Sequence, residues 1–353
     1  MRKLFLLALL IVSTLHAQQK KIVVIGMSEA LVGELRSASP STVNIVHIMN
    51  PSASADVVAI VADAPEESAR EQALLKEVAD ADAIIGAPSR EVVNAAKKLK
   101  WLQITSAGVE PYLFPEIINR DLVMTNAKTL SAPAIADHGF GMLLALTRRL
   151  THFIATRPKE EWTRGNYELQ ELQGKTAVVI GTGGIGSAVA RRAKAFGMTV
   201  IGIDPKEFPP RQSFDRMVYP DRLDQVIPEA DVVFVCVPHT KESEKMYGPG
   251  QFERMKRGSY FIALSRGKIY DLPALVKALD SKHLAGAGVD VTDPEPLPKG
   301  HALWKFDNVI ITPHVATQGE GGTPRRIELY KDNIARFAAG EQLRNVVDKQ
   351  KGY

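Results

Sequence analysis

Arg266, Glu295 and His314 are the side chains whose types could bind a carboxylate and move a proton beside it. A guanidinium grips a carboxylate through two parallel hydrogen bonds. An imidazole paired with a glutamate can hold a proton and return it. Each residue follows a short apolar run that reads as a β-strand. Arg266 comes after 260–265, Glu295 lies five residues past Asp290 at the end of 286–289, and His314 follows 309–313. In an open α/β sheet, ligands collect beyond the carboxyl ends of the strands, so all three are placed to reach one reacting centre. One such residue after a strand reads as a solvated loop position. Three on successive strands read as a site.

A second constellation lies upstream. The run 176–186 reads Thr-Ala-Val-Val-Ile-Gly-Thr-Gly-Gly-Ile-Gly, an apolar strand entering G-x-G-x-x-G at Gly181, Gly183 and Gly186. Gly181 permits the tight turn, Gly183 lets the backbone approach a pyrophosphate, and Gly186 lets strand and helix pack closely. The following helix offers its N-terminal amides and positive dipole to phosphates. A second strand pattern ends on Asp204, 18 residues past Gly186, where a carboxylate meets an adenosine ribose. Such a carboxylate accepts the ribose hydroxyls of NAD and repels a 2′-phosphate, so NAD is expected over NADP, with Lys206 and Arg211 close enough to soften that preference. The competing reading is a glycine-rich turn in another doubly wound sheet.

The elements that must position these residues are legible as patterns. Short apolar runs at 20–26, 45–49, 57–61, 83–86 and 102–106 alternate with helical stretches at 67–80 and 89–99. Alternation of this kind predicts a mostly parallel sheet with helices on both faces. Gly26-Met27-Ser28 leads into no second glycine, so this first sheet is expected to handle substrate or act as scaffold. A long helix is expected over 131–150, with Ser131 as N-cap and Pro133 in its first turn. A polar stretch at 156–173 follows. Further strands are expected at 200–203, 232–237, 260–264, 286–289 and 309–311. The terminal helix, 325–339, is expected to pack back on the first domain.

Bulk properties narrow the classes. The 353 residues suffice for two cores, and the apolar content of 45% is ordinary for a globular chain. A net charge of +4 without a basic cluster argues against nucleic acid. The single cysteine, Cys236, excludes an internal disulfide and a cysteine-based metal site, and its apolar run makes it a buried strand residue. No metal site is expected. Arg2-Lys3, the apolar run 4–12 and a small residue at Ala17 have the order of a secretory signal over 1–17, too short to span a bilayer. Export to a periplasmic setting is therefore expected, with an uncleaved cytoplasmic enzyme as the alternative.

Several stretches resemble the D-isomer-specific 2-hydroxyacid dehydrogenases. They are Ser106-Ala107-Gly108-Val109-Glu110, the glycine loop, Val237-Pro238-His239-Thr240, Leu264-Ser265-Arg266-Gly267, the run 288–297 from Gly288 to Leu297, Thr312-Pro313-His314, and Gly340-Glu341 with Asn345-Val346-Val347-Asp348. The resemblance implies two doubly wound parallel-sheet domains: a flavodoxin-like substrate domain (18–126 and 318–353) and an inserted Rossmann domain (127–317). It implies hydride exchange between NAD(H) and a small 2-oxoacid or D-2-hydroxyacid, in a homodimer. Arg266 would hold the substrate, with the Ala107-Gly108 backbone beside it. His314 would be the acid/base, and Glu295 would favour its protonated form. Asp290 would position the nicotinamide amide. Gly184, Ile185, Pro238, Leu264 and Ser265 match cofactor-contact positions. Asp137 in place of glutamate, the missing glycine ahead of Trp162 and the unusual run after His314 depart from the pattern. No regulatory extension is expected after Tyr353. A non-catalytic NAD(H) sensor of the same fold is the alternative, and formate oxidation is disfavoured because Glu295 is acidic.

Overall fold

Lys-Lys-Ile-Val-Val-Ile forms β1 (Lys20–Ile25), whose last four residues are buried. β-Branched side chains favour this extended, packed state. The computed structural model describes residues 19–48, 65–160, 162, 164–205 and 213–353. The expected signal segment 1–17, the strand expected at 57–61, and Lys206 and Arg211 lie outside the described residues. No helix among the described residues is long and apolar enough to cross a membrane.

The first of two units contains the described part of Met1–Thr105 together with Arg120–Thr125 and Tyr330–Arg344. Its elements run β1, α1 (Glu29–Ala38), β2 (Val43–Ile48), α2 (Pro65–Val78), β3 (Ala83–Gly86), α3 (Arg90–Ala95) and β4 (Trp101–Ile104). The segment after β4, with the short helix α4 (Pro115–Ile118), clusters with the second unit, and the chain returns to the first as β5 (Val123–Thr125). The sheet is parallel with order β2-β1-β3-β4-β5. Buried Gln103 accepts from Thr125 Oγ1 (2.8 Å) and from Asn333 Nδ2 (3.1 Å), the latter in the terminal helix. Trp101 stacks near Phe337 at 5.2 Å between ring centroids.

The second unit comprises Ser106–Asn119, Asn126–Leu329 and Asn345–Tyr353. It opens with α5 (Ala132–Thr147) and α6 (Leu150–Thr156), and continues β6 (Thr176–Ile180), α7 (Gly184–Ala195), β7 (Thr199–Ile203), β8 (Arg216–Val218), α8 (Leu223–Val226), β9 (Val232–Val235) and α9 (Pro249–Arg254). Then come β10 (Ser259–Ala263), α10 (Leu272–Asp280), β11 (Leu284–Val289), β12 (Val309–Ile311) and the start of α11 (Gly322–Ala339), whose residues from Tyr330 onward cluster with the first unit. Among the described residues its seven strands are ordered β12-β11-β10-β9-β6-β7-β8, all parallel. The order reverses between β6 and β9, the switch point at which doubly wound sheets bind ligands.

Two local expectations are corrected. The helix expected over 131–150 ends at Thr147, because Arg149 adopts φ +54°, and a second helix starts at Leu150. Ser131 stands at the N-cap of α5, yet its side chain makes no capping hydrogen bond. The edge strands β5 and β8, three residues each, are not among the strands expected from the sequence.

Candidate active site

Gly181 closes β6 with φ +88°, and a Cβ there would stand 2.8 Å from the Val237 amide nitrogen. Only glycine takes that conformation without strain. A Cβ on Gly186 would fall on the Gly181 carbonyl oxygen, so helix and loop touch because both residues lack side chains. At Gly183 the same construction meets nothing within 4 Å. Gly183 is the N-cap of α7, which has no side-chain cap. It lines a cavity of about 910 Å³ together with Gly181, Asp204, Pro238 and His239. Open space over an uncapped, dipole-positive helix end fits a pyrophosphate. Asp204 Oδ2 accepts from the Thr182 amide (2.9 Å) and hydroxyl (3.1 Å), which fixes the carboxylate at the cavity wall.

Other expected cofactor residues, Gly184, Ile185, Leu264 and Ser265, do not line this cavity. Gly184 lies against Thr129, Ile185 against the core, and Leu264 against Gly139 of α5. Buried Ser265 directs its hydroxyl at the Val235 carbonyl (3.4 Å). Cys236 is buried at the cavity wall, and burial pushes its thiol far above the usual range, which rules it out as a thiolate at ordinary pH.

The loop after β4 is pinned by its carbonyl groups. Ser106 Oγ donates to Gly108 O (2.6 Å), Asn126 Nδ2 to Ala107 O (2.6 Å), and the Ala127 amide to Ser106 O (2.9 Å). Arg266 lies directly against Gly108, where a Cβ would stand 3.1 Å from the guanidinium carbon. Arg266 Nη1 donates to the Ser265 carbonyl (2.8 Å), and Nε is 3.3 Å from Glu110 Oε1.

Gly267 carries the connection onward, since a Cβ there would fall on the Thr292 carbonyl group. Buried Tyr270 braces the same segment by donating to Val291 O (2.7 Å), and burial raises its hydroxyl pKa. Glu295 Oε1 accepts the Thr292 amide (3.0 Å), and Oε2 lies 2.9 Å from His314 Nδ1. His314 adopts φ +54°, a conformation that costs a non-glycine residue about 1 kcal/mol. Asp290 holds the turn around it. Its carboxylate, 2% exposed, accepts the Thr312 hydroxyl (2.6 Å) and Val315 amide (3.0 Å) on Oδ1, and the Ala316 amide (3.0 Å) on Oδ2.

Strand register explains the convergence. Ala263 of β10 aligns with Val289 of β11, which aligns with Ile311 of β12. Arg266, Asp290 and His314 therefore leave adjacent parallel strands at the same edge, and Glu295 bridges the loops. Three features carry no signal in the local sequence. Glu110 follows Gly108 by two residues in the loop after β4. His138 of α5 places Nε2 2.9 Å from Thr312 Oγ1 and 3.7 Å from Asp290 Oδ1, and reads locally as a packing residue. Residues 349–353 line the cavity without any motif. Asp137 pairs with Arg192 (2.7 Å).

Residues 140–316 match the model of the D-isomer specific 2-hydroxyacid dehydrogenase NAD binding domain. A glyoxylate reductase of Korarchaeum cryptofilum is 32% identical over 287 residues, 78% of this chain and 86% of that protein. A D-3-phosphoglycerate dehydrogenase of Archaeoglobus fulgidus is 34% identical over 258 residues, 73% of this chain and 49% of that protein. The solved structure of a D-isomer specific 2-hydroxyacid dehydrogenase family protein from Aeromonas salmonicida superposes with a TM-score of 0.77 at 27% identity, covering 94% of this chain and 99% of that one. The chain belongs to the D-isomer-specific 2-hydroxyacid dehydrogenase family, oxidoreductases that act on 2-hydroxyacids with a nicotinamide dinucleotide.

Proposed function

We propose that this enzyme reduces a small 2-oxoacid to its D-2-hydroxyacid with NADH, using Arg266, Glu295 and His314. The observation that carries this reading is the connected row from Arg266 through Gly267 and Thr292 to Glu295 and His314, beyond the ends of β10, β11 and β12. Bound NADH supplies the hydride. Arg266 binds the substrate carboxylate with its fork, beside the Ala107-Gly108 backbone. His314 Nδ1 is committed to Glu295. Its Nε2 is therefore the atom that holds the proton, gives it to the carbonyl oxygen as C2 is reduced, and recovers it in the reverse direction. Glu295 pairs with Nδ1 and fixes the ring.

The glycines 181, 183, 184 and 186, with Ile185, Pro238, Leu264 and Ser265, form the cofactor wall in this reading. Asp290, whose carboxylate holds the His314 turn, would also position the nicotinamide amide. Asp204 favours NAD, because a carboxylate accepts ribose hydroxyls and repels a 2′-phosphate. Similarity to glyoxylate reductases makes glyoxylate the first substrate to assay. The intact acid/base pair disfavours a purely NAD(H)-sensing role.

His314→Gln should lower kcat about 10³-fold, while NADH binding measured by fluorescence survives. Wild-type turnover by that variant rejects the assignment, and equal kcat/KM with NADPH rejects the cofactor preference. Export and a homodimeric state belong to the same proposal; N-terminal sequencing of the mature protein and its mass by light scattering test them.

A further inference from the structure

The seat assigned above to a substrate carboxylate already holds a carboxylate of the chain. Glu110 Oε1 lies 3.3 Å from Arg266 Nε, and the Cβ position of Gly108 is 2.6 Å from Glu110 Oε2 and 3.1 Å from Arg266 Cζ. Acid, guanidinium and bare glycine backbone therefore meet at one point. The geometry points to Glu110 as a displaceable internal ligand of Arg266, a carboxylate that occupies the guanidinium until a substrate carboxylate takes its place. This inference rests on the reading of Arg266 as the substrate anchor.

Three observations distinguish a competitor from a support. Arg266 has its own tether, since Nη1 donates to the Ser265 carbonyl, and the guanidinium does not depend on Glu110 for its place. The loop bearing Glu110 is pinned through the carbonyls of Ser106, Ala107 and Gly108, which leaves the Glu110 side chain as the element that swings. The two side chains are 34% and 31% exposed, so water reaches the pair. Pairs in such surroundings are worth a factor of about two to five in an equilibrium, weak enough for an incoming carboxylate to displace. Tethering makes the competition intramolecular, and it acts on every anion that enters the seat. The consequence is a raised KM for the 2-oxoacid and an anchor that is never left as an unpaired cation.

The test uses full-length Glu110→Gln and Glu110→Ala at saturating NADH. Two constants are read: KM for glyoxylate, and the dissociation constant of oxalate, which carries the carboxylate and cannot be reduced. Both should fall about two- to fivefold in both variants, with the gain confined to KM. Unchanged constants overturn the inference. Raised constants also overturn it and make Glu110 a positioning group for Arg266. NADH fluorescence on each variant reports folding independently of turnover. If the wild type reduces no 2-oxoacid yet oxalate binds more tightly to the variants, the proposed function fails and the Glu110 inference stands. If glyoxylate is reduced and oxalate affinity does not rise, the inference alone fails.

Discussion

In the proposed substrate seat, Gly108 leaves no room for a side chain. Its φ lies outside the left-handed region, so alanine fits the backbone there, but the added methyl would meet the Arg266 guanidinium and Glu110 Oε2. Gly108→Ala should raise KM for glyoxylate at least about tenfold, equivalent to about 1.4 kcal/mol of lost binding, with NADH affinity retained. Steady-state kinetics beside a fluorescence titration checks this, and an unchanged KM would remove Gly108 from the seat. At this scale the sequence was generous with some side chains and silent about others. Arg266, Glu295 and His314 were legible because each follows an apolar strand run and each has a chemistry. Glu110 and His138 were not, because their partners lie 156 and 174 residues away and nothing local marks them.

The turn after β12 is the element on which the proposed acid/base depends. Its Thr312 hydroxyl and the amides of Val315 and Ala316 all converge on Asp290. An alanine at position 290 leaves three donors without their acceptor inside the protein, and each such loss costs about 1–3 kcal/mol. Asp290→Ala should therefore lower stability by at least about 3 kcal/mol and release His314 from its left-handed conformation, seen as a reduced urea midpoint and a fall in kcat. A variant as stable as the wild type would show that the turn is held by other contacts. Among the elements, β3 coincides with the apolar run 83–86, and β6 with its glycine loop and α7 follows the motif. The break after α5 was hidden, because an arginine at φ +54° leaves no trace in propensity. The three-residue strands β5 and β8 exist through their pairing with β4 and β7, which a local pattern does not contain.

Across the molecule, the cores decide how much perturbation the site tolerates. The larger cluster packs Tyr247 against Phe252 and Phe261, with ring centroids 4.8 and 5.2 Å away. Burial pushes the Tyr247 hydroxyl well above its ordinary pKa, and its oxygen has no hydrogen-bond partner among the described residues. Tyr247→Phe removes a desolvated hydroxyl while keeping the ring, and should raise stability by about 1 kcal/mol in urea denaturation. A destabilised variant would mean that the hydroxyl is satisfied in solution. By itself the sequence determined that the chain builds parallel α/β sheets, that one of them carries a dinucleotide loop, and which residues could bind a carboxylate and move a proton. These are consequences of short-range periodicity, of glycines that a tight turn requires, and of intrinsic side-chain chemistry. The tertiary structure alone decided that β10, β11 and β12 align in register, that Asp290 clamps the His314 turn, and that Glu110 sits on Arg266. Those pairings close loops of tens to more than a hundred residues. Their entropy is repaid only when the whole sheet has formed, so no local stretch of sequence carries them.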